Sequence, residues 1–305
     1  MSEINTNSDR PNVPDITIPQ GITPFFFAAA RGRIARLGPL TDNLIKRHQY
    51  PTAISILGGE ALTLVALLAS ALKFEGSFSL QIKGDGAISL LVADCTHNGA
   101  LRFYIRYNEE ALQKLPTHAS AKTLFGNGIF ALTVDQGDNQ DRYQGMVEIA
   151  GKTLADMATH YFTSSEQLPC WIYLTTQYTP SGWRAAGMIL EKISMASNDP
   201  IPTEIAQESW NTLTALATTI TAQEILDEML SEKTLIHRLF HEENPVIGEA
   251  KPLSYGCRCS RSRLMNVLKN FNTDDIESMV EDGKITMKCE FCCYEFVFNK
   301  EEISL

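Results

Sequence analysis

Phe78-Ser79-Leu80-Gln81-Ile82-Lys83-Gly84-Asp85-Gly86-Ala87-Ile88-Ser89-Leu90-Leu91-Val92-Ala93 alternates apolar and polar residues, turns at Gly84-Asp85-Gly86, and resumes as a continuous apolar run. A second turn at His97-Asn98-Gly99 is followed by Leu101, Phe103, Ile105 and Tyr107 at every other position. Side chains at a period of two belong to strands, and connections this short join antiparallel neighbours. The stretch therefore predicts an antiparallel meander.

Reading outward, residues 129–134 and 143–149 pair as a further hairpin across Gly137-Asp138-Asn139. Residues 171–177 and 183–193 add strands, and 25–36 begins the set. Between them, residues 42–47 carry the polar face of a helix that Pro51 ends. Thr153 with Asp156 makes a capping box ahead of a helix over 154–162. Residues 53–74 form the most apolar segment, about long enough to cross a bilayer, but Gly58-Gly59-Glu60 interrupts it. A carboxylate at membrane depth is costly, so this segment is expected to be a buried core helix and no membrane partner is expected. Residues 21–195 thus read as one α+β domain with helices packed on a largely antiparallel sheet. Residues 1–20 are polar, rich in Ser, Asn, Asp and Pro, and read as a flexible tail with no secretory signal. The expected location is cytoplasmic.

A break at Ser197-Asn198-Asp199-Pro200-Ile201-Pro202 opens a different pattern. Residues 196–252 hold three basic and ten acidic side chains, most of the chain's net charge of −10. Thr221 and Glu224 form a second capping box, and Leu235, Ile236, Leu239 and Phe240 continue at helical spacing. Trp210, Leu213, Leu216, Ile220, Ile225, Leu226, Met229 and Leu230 need a surface to lie on, while the acids weaken docking. This segment reads as a metastable helical linker. The acidic balance argues against nucleic acid as a partner.

Residues 253–305 read as a separate small domain. Ser260 is placed to cap a helix through Leu268, and Thr273 another through Val280. Asp282-Gly283 turns into a strand over 285–288, and Tyr294, Phe296 and Phe298 alternate on its return. Five of the chain's seven cysteines fall here. Cys257-Arg258-Cys259 and Cys289-Glu290-Phe291-Cys292 are two close pairs able to surround one tetrahedral zinc, and each pair is also able to close as a disulfide. Arg258, Arg261 and Arg263 favour the thiolate form that zinc needs. A zinc ion would supply what so small a core lacks. On residue chemistry alone, a zinc that never leaves is the commoner case. Cys293 reads as a bystander whose side chain points away from that of Cys292 if a strand has begun. Cys95 and Cys170 adjoin apolar strands and read as buried and inert. His237 and His241 share a helical face but have no further ligand at matching spacing. No nucleophile–base pair or paired-carboxylate motif stands out, so the chain does not read as an enzyme.

The cysteine pattern in this context resembles the redox-regulated 33-kDa heat-shock chaperone family (33 kDa chaperonin). The likeness is carried by Arg31-Gly32-Arg33, Arg36-Leu37-Gly38-Pro39, Gly59-Glu60-Ala61-Leu62, Leu72-Lys73-Phe74-Glu75-Gly76 and Gly84-Asp85-Gly86. It continues in Val134-Asp135-Gln136-Gly137, Arg142-Tyr143-Gln144-Gly145, His160-Tyr161-Phe162 with Ser165-Glu166-Gln167, and Arg238-Leu239-Phe240-His241-Glu242-Glu243. The resemblance implies an ATP-independent holdase of the stress response that binds unfolded proteins and assists protein folding. It implies an inactive reduced monomer with one zinc on Cys257, Cys259, Cys289 and Cys292. Oxidation would form redox-active disulfides, Cys257 to Cys259 and Cys289 to Cys292, and release zinc. The module would unfold and the linker would expose its apolar residues, the eight from Trp210 to Leu230 named above, to clients. The oxidised form would dimerise and pass clients to an ATP-dependent chaperone after reduction. The family usually has glycine where this chain has Cys293, which leaves the second pairing open to thiol exchange. Two other classes fit the cysteines: a zinc-ribbon interaction module with a fixed structural zinc, and a thiol–disulfide oxidoreductase. The second lacks the βαβ context that its Cys-x-x-Cys would need.

Overall fold

The stretch beginning at Phe78 lies in the middle of an eleven-stranded sheet, in a computed structural model that describes residues 9, 15–72, 75–116, 118–136, 142–193 and 202–303. The chain divides into two units, Ile16–Gly256 and, with the residues before Ile16, Cys257–Leu305.

The larger unit begins with the hairpin β1 (Thr17–Phe26) and β2 (Ala30–Arg36), then α1 (Pro39–Lys46) and α2 (Thr52–Ala69). The meander follows as β3 (Ser77–Gly84), β4 (Ile88–Thr96) and β5 (Ala100–Tyr107). Short helices α3 (Glu109–Gln113) and α4 (Ala121–Phe125) lead to β6 (Gly128–Asp135) and β7 (Tyr143–Glu148). Next come α5 (Leu154–Tyr161), β8 (Cys170–Thr179) and β9 (Gly182–Lys192). Helices α6 (Thr203–Ala217), α7 (Ala222–Leu226) and α8 (Glu232–Phe240) precede β10 (Val246–Ile247) and β11 (Lys251–Tyr255). The sheet order is β7-β6-β3-β4-β5-β11-β1-β2-β9-β8, with β10 beside β1. All pairings are antiparallel except β11 with β5.

The expected meander, the hairpin of residues 129–149 and the pair β8–β9 all form, and Thr153 with Asp156 makes a capping box at α5. The turn expected at Gly137-Asp138-Asn139, the break over residues 197–201, and Lys73 and Phe74 lie outside the described residues. Helix α2 runs through Gly58-Gly59 without a break. These glycines let it lie close against the sheet: a Cβ on Gly58 would stand 2.4 Å from the Phe103 ring, and one on Gly59 2.4 Å from Thr176 Oγ1. With 78% of its most apolar stretch buried, α2 is the central core helix.

The sheet has apolar side chains on both faces near β1, β2 and β9. One face carries α1, α2 and α5. The other buries Phe25, Ile34, Met188 and Leu190 beneath Leu213, Ile220, Ile225, Leu235 and Phe240 of the following helical segment. That segment is thus docked on the sheet.

Two boundaries differ from the expectation. The polar N-terminal stretch ends sooner, because Thr17 to Gln20 extend β1 to pair with β11. Asp9 also has a place: its carbonyl accepts from Arg261 N at 2.6 Å and its carboxylate from Ser262 N at 2.9 Å. The border drawn after residue 252 falls inside β11, whose Leu253 is fully buried in the sheet core. The change of unit comes after Gly256.

The smaller unit holds α9 (Arg261–Leu268), α10 (Thr273–Met279), the hairpin β12 (Lys284–Lys288) and β13 (Glu295–Asn299), and α11 (Lys300–Ile303). Ser260 caps α9 as expected, but Asn272 and not Thr273 caps α10, its side chain accepting from Asp275 N. An Asn carbonyl does this as well as a hydroxyl, and Thr273 then serves as the first helical residue. The core of this unit is Leu268, Ile276, Ile285, Phe296, Phe298 and Ile303.

Glu60, on the flank of α2, carries a pH signature for the larger unit near neutral pH. Burial pushes its carboxyl up to about 7. The folded chain then keeps a proton that the unfolded chain has lost, so stability falls as pH rises from the ordinary carboxylate range through about 7. Glu60→Gln should therefore stabilise the protein by about 1–3 kcal/mol at pH 8 and have little effect at pH 4. Denaturant unfolding at the two pH values measures this.

Candidate metal and redox centre

The four cysteines are positioned by two different local structures. Cys257 and Cys259 lie on the extended run just before Ser260 starts α9. Cys289 to Tyr294 form the loop between β12 and β13, where Lys288 pairs with Glu295. The loop is fixed by Cys289 N donating to Tyr294 O at 2.9 Å and Cys293 N donating to Cys289 O at 2.8 Å. These bonds turn Cys289 and Cys292 to the same side.

Their sulfurs meet those of the first pair. Cys257 Sγ lies 3.4 Å from Cys259 Sγ and 3.7 Å from Cys289 Sγ, and Cys259 Sγ lies 3.5 Å from Cys292 Sγ. All four sulfurs fall within 4.8 Å of one another. Zn–S bonds of about 2.3 Å in a regular tetrahedron put sulfurs about 3.8 Å apart, so the cluster has the size of a tetrathiolate metal site. A disulfide would need about 2.05 Å, so none of these pairs is bonded. Cys257 and Cys292 are buried and the other two half-buried. Packed together, the thiols are coupled through sulfur–sulfur contacts: the contact with Cys259 is the largest cause holding Cys257 down to about 7, and that with Cys257 the largest lowering Cys289. Cys259 and Cys292 are raised, chiefly by their contacts with Cys257.

The arginines do less for the thiols than their positions in sequence suggest. Arg261 turns to the hairpin, donates to Val297 O at 2.6 Å, pairs with Glu302 and lies 4.4 Å over the Phe298 ring. Arg263 donates to Arg258 O at 2.9 Å. A guanidinium finds stronger partners in a carbonyl, a carboxylate and an aromatic face than in a thiol that already has sulfur neighbours.

Cys293 is not part of a strand. It sits in the loop with φ of 55°, the left-handed region, two residues before β13 begins. This conformation suits glycine, and a Cβ there costs on the order of 1 kcal/mol. Its sulfur is outside the four-sulfur cluster. Cys95 lies buried in β4 as expected, whereas Cys170, at the start of β8, is only half-buried; desolvation pushes both thiols up to about 12. The His237 and His241 rings stack at 5.7 Å, and among the described residues the four cysteines are the only cluster able to hold a metal.

Seven of the eight apolar residues singled out in the acidic segment pack in the cluster on the sheet, and Met229 does not. Leu213, Ile220, Ile225 and Leu230 are buried, Trp210, Leu216 and Leu226 are partly so, and Met229 is 93% exposed. Sequence reasoning missed what pins this segment down. Arg36 of β2 donates to the carbonyl of Leu230 and, at 3.2 Å, to that of Glu224, and it faces Glu232 at 3.4 Å. Arg184 of β9 pairs with Glu228 at 2.5 Å. The run of acids at 224, 227, 228 and 232 was the available signal, since so many carboxylates on one docked surface call for a cation beneath.

The small unit thus carries a four-thiol cluster, and the larger α+β unit carries a docked, acidic, apolar-patterned segment. Among known proteins, the profile of the Hsp33 protein family matches residues 22–299. The chain is 40% identical over 270 residues to the 33 kDa chaperonin of Caulobacter vibrioides, covering 86% of this chain and 88% of that protein. It is 36% identical to the 33 kDa chaperonin of Pseudomonas paraeruginosa, over 90% of this chain and 89% of that one. The solved structure of the Thermotoga maritima 33 kDa chaperonin has the same fold, with a TM-score of 0.76 over 93% of this chain and 97% of that one at 22% identity. The chain belongs to the Hsp33 family of heat-shock chaperones.

Cys293→Gly should relieve the left-handed strain and stabilise the small unit by about 0.5–1 kcal/mol. Competition between the full-length reduced protein and a chelator for zinc should show tighter retention in the variant. Cys259→Ser should instead reduce bound zinc well below one ion per chain.

Proposed function

We propose that the chain is a redox-switched holdase that acts by binding and not by catalysis. The reduced form holds one zinc on Cys257, Cys259, Cys289 and Cys292 and keeps its client surface covered. The observation that carries this reading is the convergence of four unbonded sulfurs within 4.8 Å on a unit whose buried core is six apolar side chains. Such a unit depends on its cross-link, and the groups forming the cross-link are oxidisable.

In this reading peroxide takes two electrons from a pair of thiolates. Attack of one thiolate on the peroxide gives a sulfenic acid and water. The second thiolate displaces the hydroxyl, which leaves as water once protons are supplied, and an S–S bond forms. A disulfide sulfur is a poor zinc ligand, so the metal leaves. Cys259 Sγ is as close to Cys292 as to Cys257. The short Cys-x-Cys and Cys-x-x-Cys separations therefore favour the pairs 257–259 and 289–292, because a small loop closes most easily.

Loss of the module would pass along the chain through Gly256 to β11 and the segment before it. That segment is held by apolar packing and by the two arginines, and it carries seven more acids than bases. Once undocked it would offer Trp210, Leu213, Leu216, Ile220, Ile225, Leu226, Met229 and Leu230 to unfolding proteins, while its charge resists self-aggregation. The rest of the reading follows the family: a cytoplasmic stress protein that dimerises when oxidised, passes clients to an ATP-dependent chaperone on reduction, and binds neither nucleic acid nor membrane.

Peroxide at raised temperature should release zinc and, over the same time course, produce suppression of a client's aggregation. Zinc release without suppression would sink the holdase reading, and zinc retention would favour a fixed zinc module. In the reduced, zinc-loaded protein, Arg36→Gln should raise amide exchange across residues 222–240 at least tenfold, because the carbonyls of Glu224 and Leu230 lose their donor. Mass-detected hydrogen exchange reads this directly.

A further inference from the structure

One cleft in the larger unit lies apart from the cysteines and from the docked segment. Its floor is one stripe of α2, where Ala53, Ile56, Leu57 and Glu60 follow at helical spacing. Its other wall is Leu124 of α4, and Lys152 stands at the rim. The cleft holds about 310 Å³, at the lower end of the range of about 300–1,000 Å³ usual for small-ligand sites.

The acid in it is anomalous. Among the described residues no hydrogen bond or ion pair reaches the Glu60 carboxyl, and desolvation is the whole cause of its raised proton affinity. Glu60 is half-buried and its carboxyl reaches the cleft, and a largely desolvated acid that has no protein partner at a cleft is a candidate binding group. Lys152 does not supply the partner. It is exposed, makes no ion pair with Glu60, and its backbone N–H donates to Asp156 at 2.9 Å. A metal ion is not favoured, because Glu60 belongs to no cluster of ligand groups among the described residues. An anion would meet the carboxyl head-on. A purely apolar ligand would leave it unsatisfied.

We propose that this cleft binds an alkylammonium group, with the cation on Glu60 and its apolar stem against Ala53, Ile56, Leu57 and Leu124. The same chemistry is offered by a small primary amine and by a lysine side chain flanked by apolar residues in an unfolded polypeptide. Ionisable groups facing Glu60 are His118 and Lys152 at the rim and Tyr173 on β8, whose phenol is raised chiefly by burial and further by Glu60. Binding needs the carboxylate and the protonated amine together. Affinity should therefore rise with pH through about 7, where Glu60 loses its proton, and fall again as an amine titrates near about 10.4.

The test uses the full-length, reduced, zinc-loaded protein at pH 8.5 with three probes: n-hexylamine, n-hexanol as a neutral isostere, and a capped Leu-Leu-Lys-Leu-Leu peptide. Binding is read by calorimetry, and its place by amide shift changes around residues 53–60 and 119–124. Hexylamine should bind at least tenfold more tightly than hexanol, and Glu60→Gln should abolish that preference. Binding of the peptide but not of the free amine, with the same Glu60 dependence, would assign the cleft to lysine side chains. Binding of the amine alone would assign it to small amines. Ala53→Leu, which narrows the cleft and leaves the acid in place, should weaken the bound probe at least fivefold and guards against misfolding of the Glu60 variant. Equal binding of amine and alcohol, an unchanged preference in Glu60→Gln, shifts confined to other regions, or no binding of either cationic probe would each overturn the proposal. None of these outcomes depends on whether oxidation activates the chain.

Discussion

Four sulfurs drawn to within 4.8 Å of one another are the constraint on which the small C-terminal unit depends. Six buried apolar side chains cannot offset the conformational entropy of nearly fifty ordered residues, so the fold needs a cross-link. A thiolate–metal centre supplies one that is strong and also chemically reversible. A disulfide framework would give similar strength but would not respond to oxidant. A larger apolar core would not respond to anything but heat. Under the proposed function, the choice of thiolates would make the fold of this unit conditional on redox state.

The acidic segment is conditional in a second way. Its apolar residues pack on a sheet face made by β1, β2 and β9, neighbouring strands of a large sheet whose other face is already filled by α1, α2 and α5. The sheet does not need the segment in order to have a core, while the segment needs the sheet to bury its apolar stripe. Arg36 adds charge-assisted bonds to the carbonyls of Leu230 and Glu224, and Arg184, itself buried, pairs with the exposed Glu228. Removal of such bonds leaves both sides unsatisfied, so a few contacts control whether the whole segment stays down.

Much of this was legible in the chain. Strict alternation gave the meander of β3, β4 and β5, and the two Thr-x-x-acid pairs marked the starts of α5 and α7 because capping is a local event. The cluster of four cysteines could be read because the spacing is also local within each pair. What could not be read depended on contacts distant in sequence. Strand β11 carries Pro252 and has no clean period, and it is a strand because it fits between β5 and β1. Arg36 gives no local sign of its role, since its acceptors lie 188 and 194 residues away. The arginines near Cys257 were misjudged for the reverse reason: nearness in sequence suggested thiolate partners, but Val297, Glu302 and Phe298 compete better in space.

Cys293 and Glu60 both break a local rule, and the two are best understood together. A cysteine at φ of 55° is held there by two loop hydrogen bonds that the ligands on either side require. Its strain is therefore a consequence of the metal site, and glycine would serve the geometry better. Glu60 has no such excuse. Nothing in the fold of α2 requires a carboxyl between Gly59 and Ala61, and a glutamine of the same shape would avoid the cost of desolvating a charge. The strain at Cys293 is accounted for by the structure around it, while the cost at Glu60 is not. A half-buried carboxyl that faces an open cleft without a protein partner is where a cationic ligand would gain most.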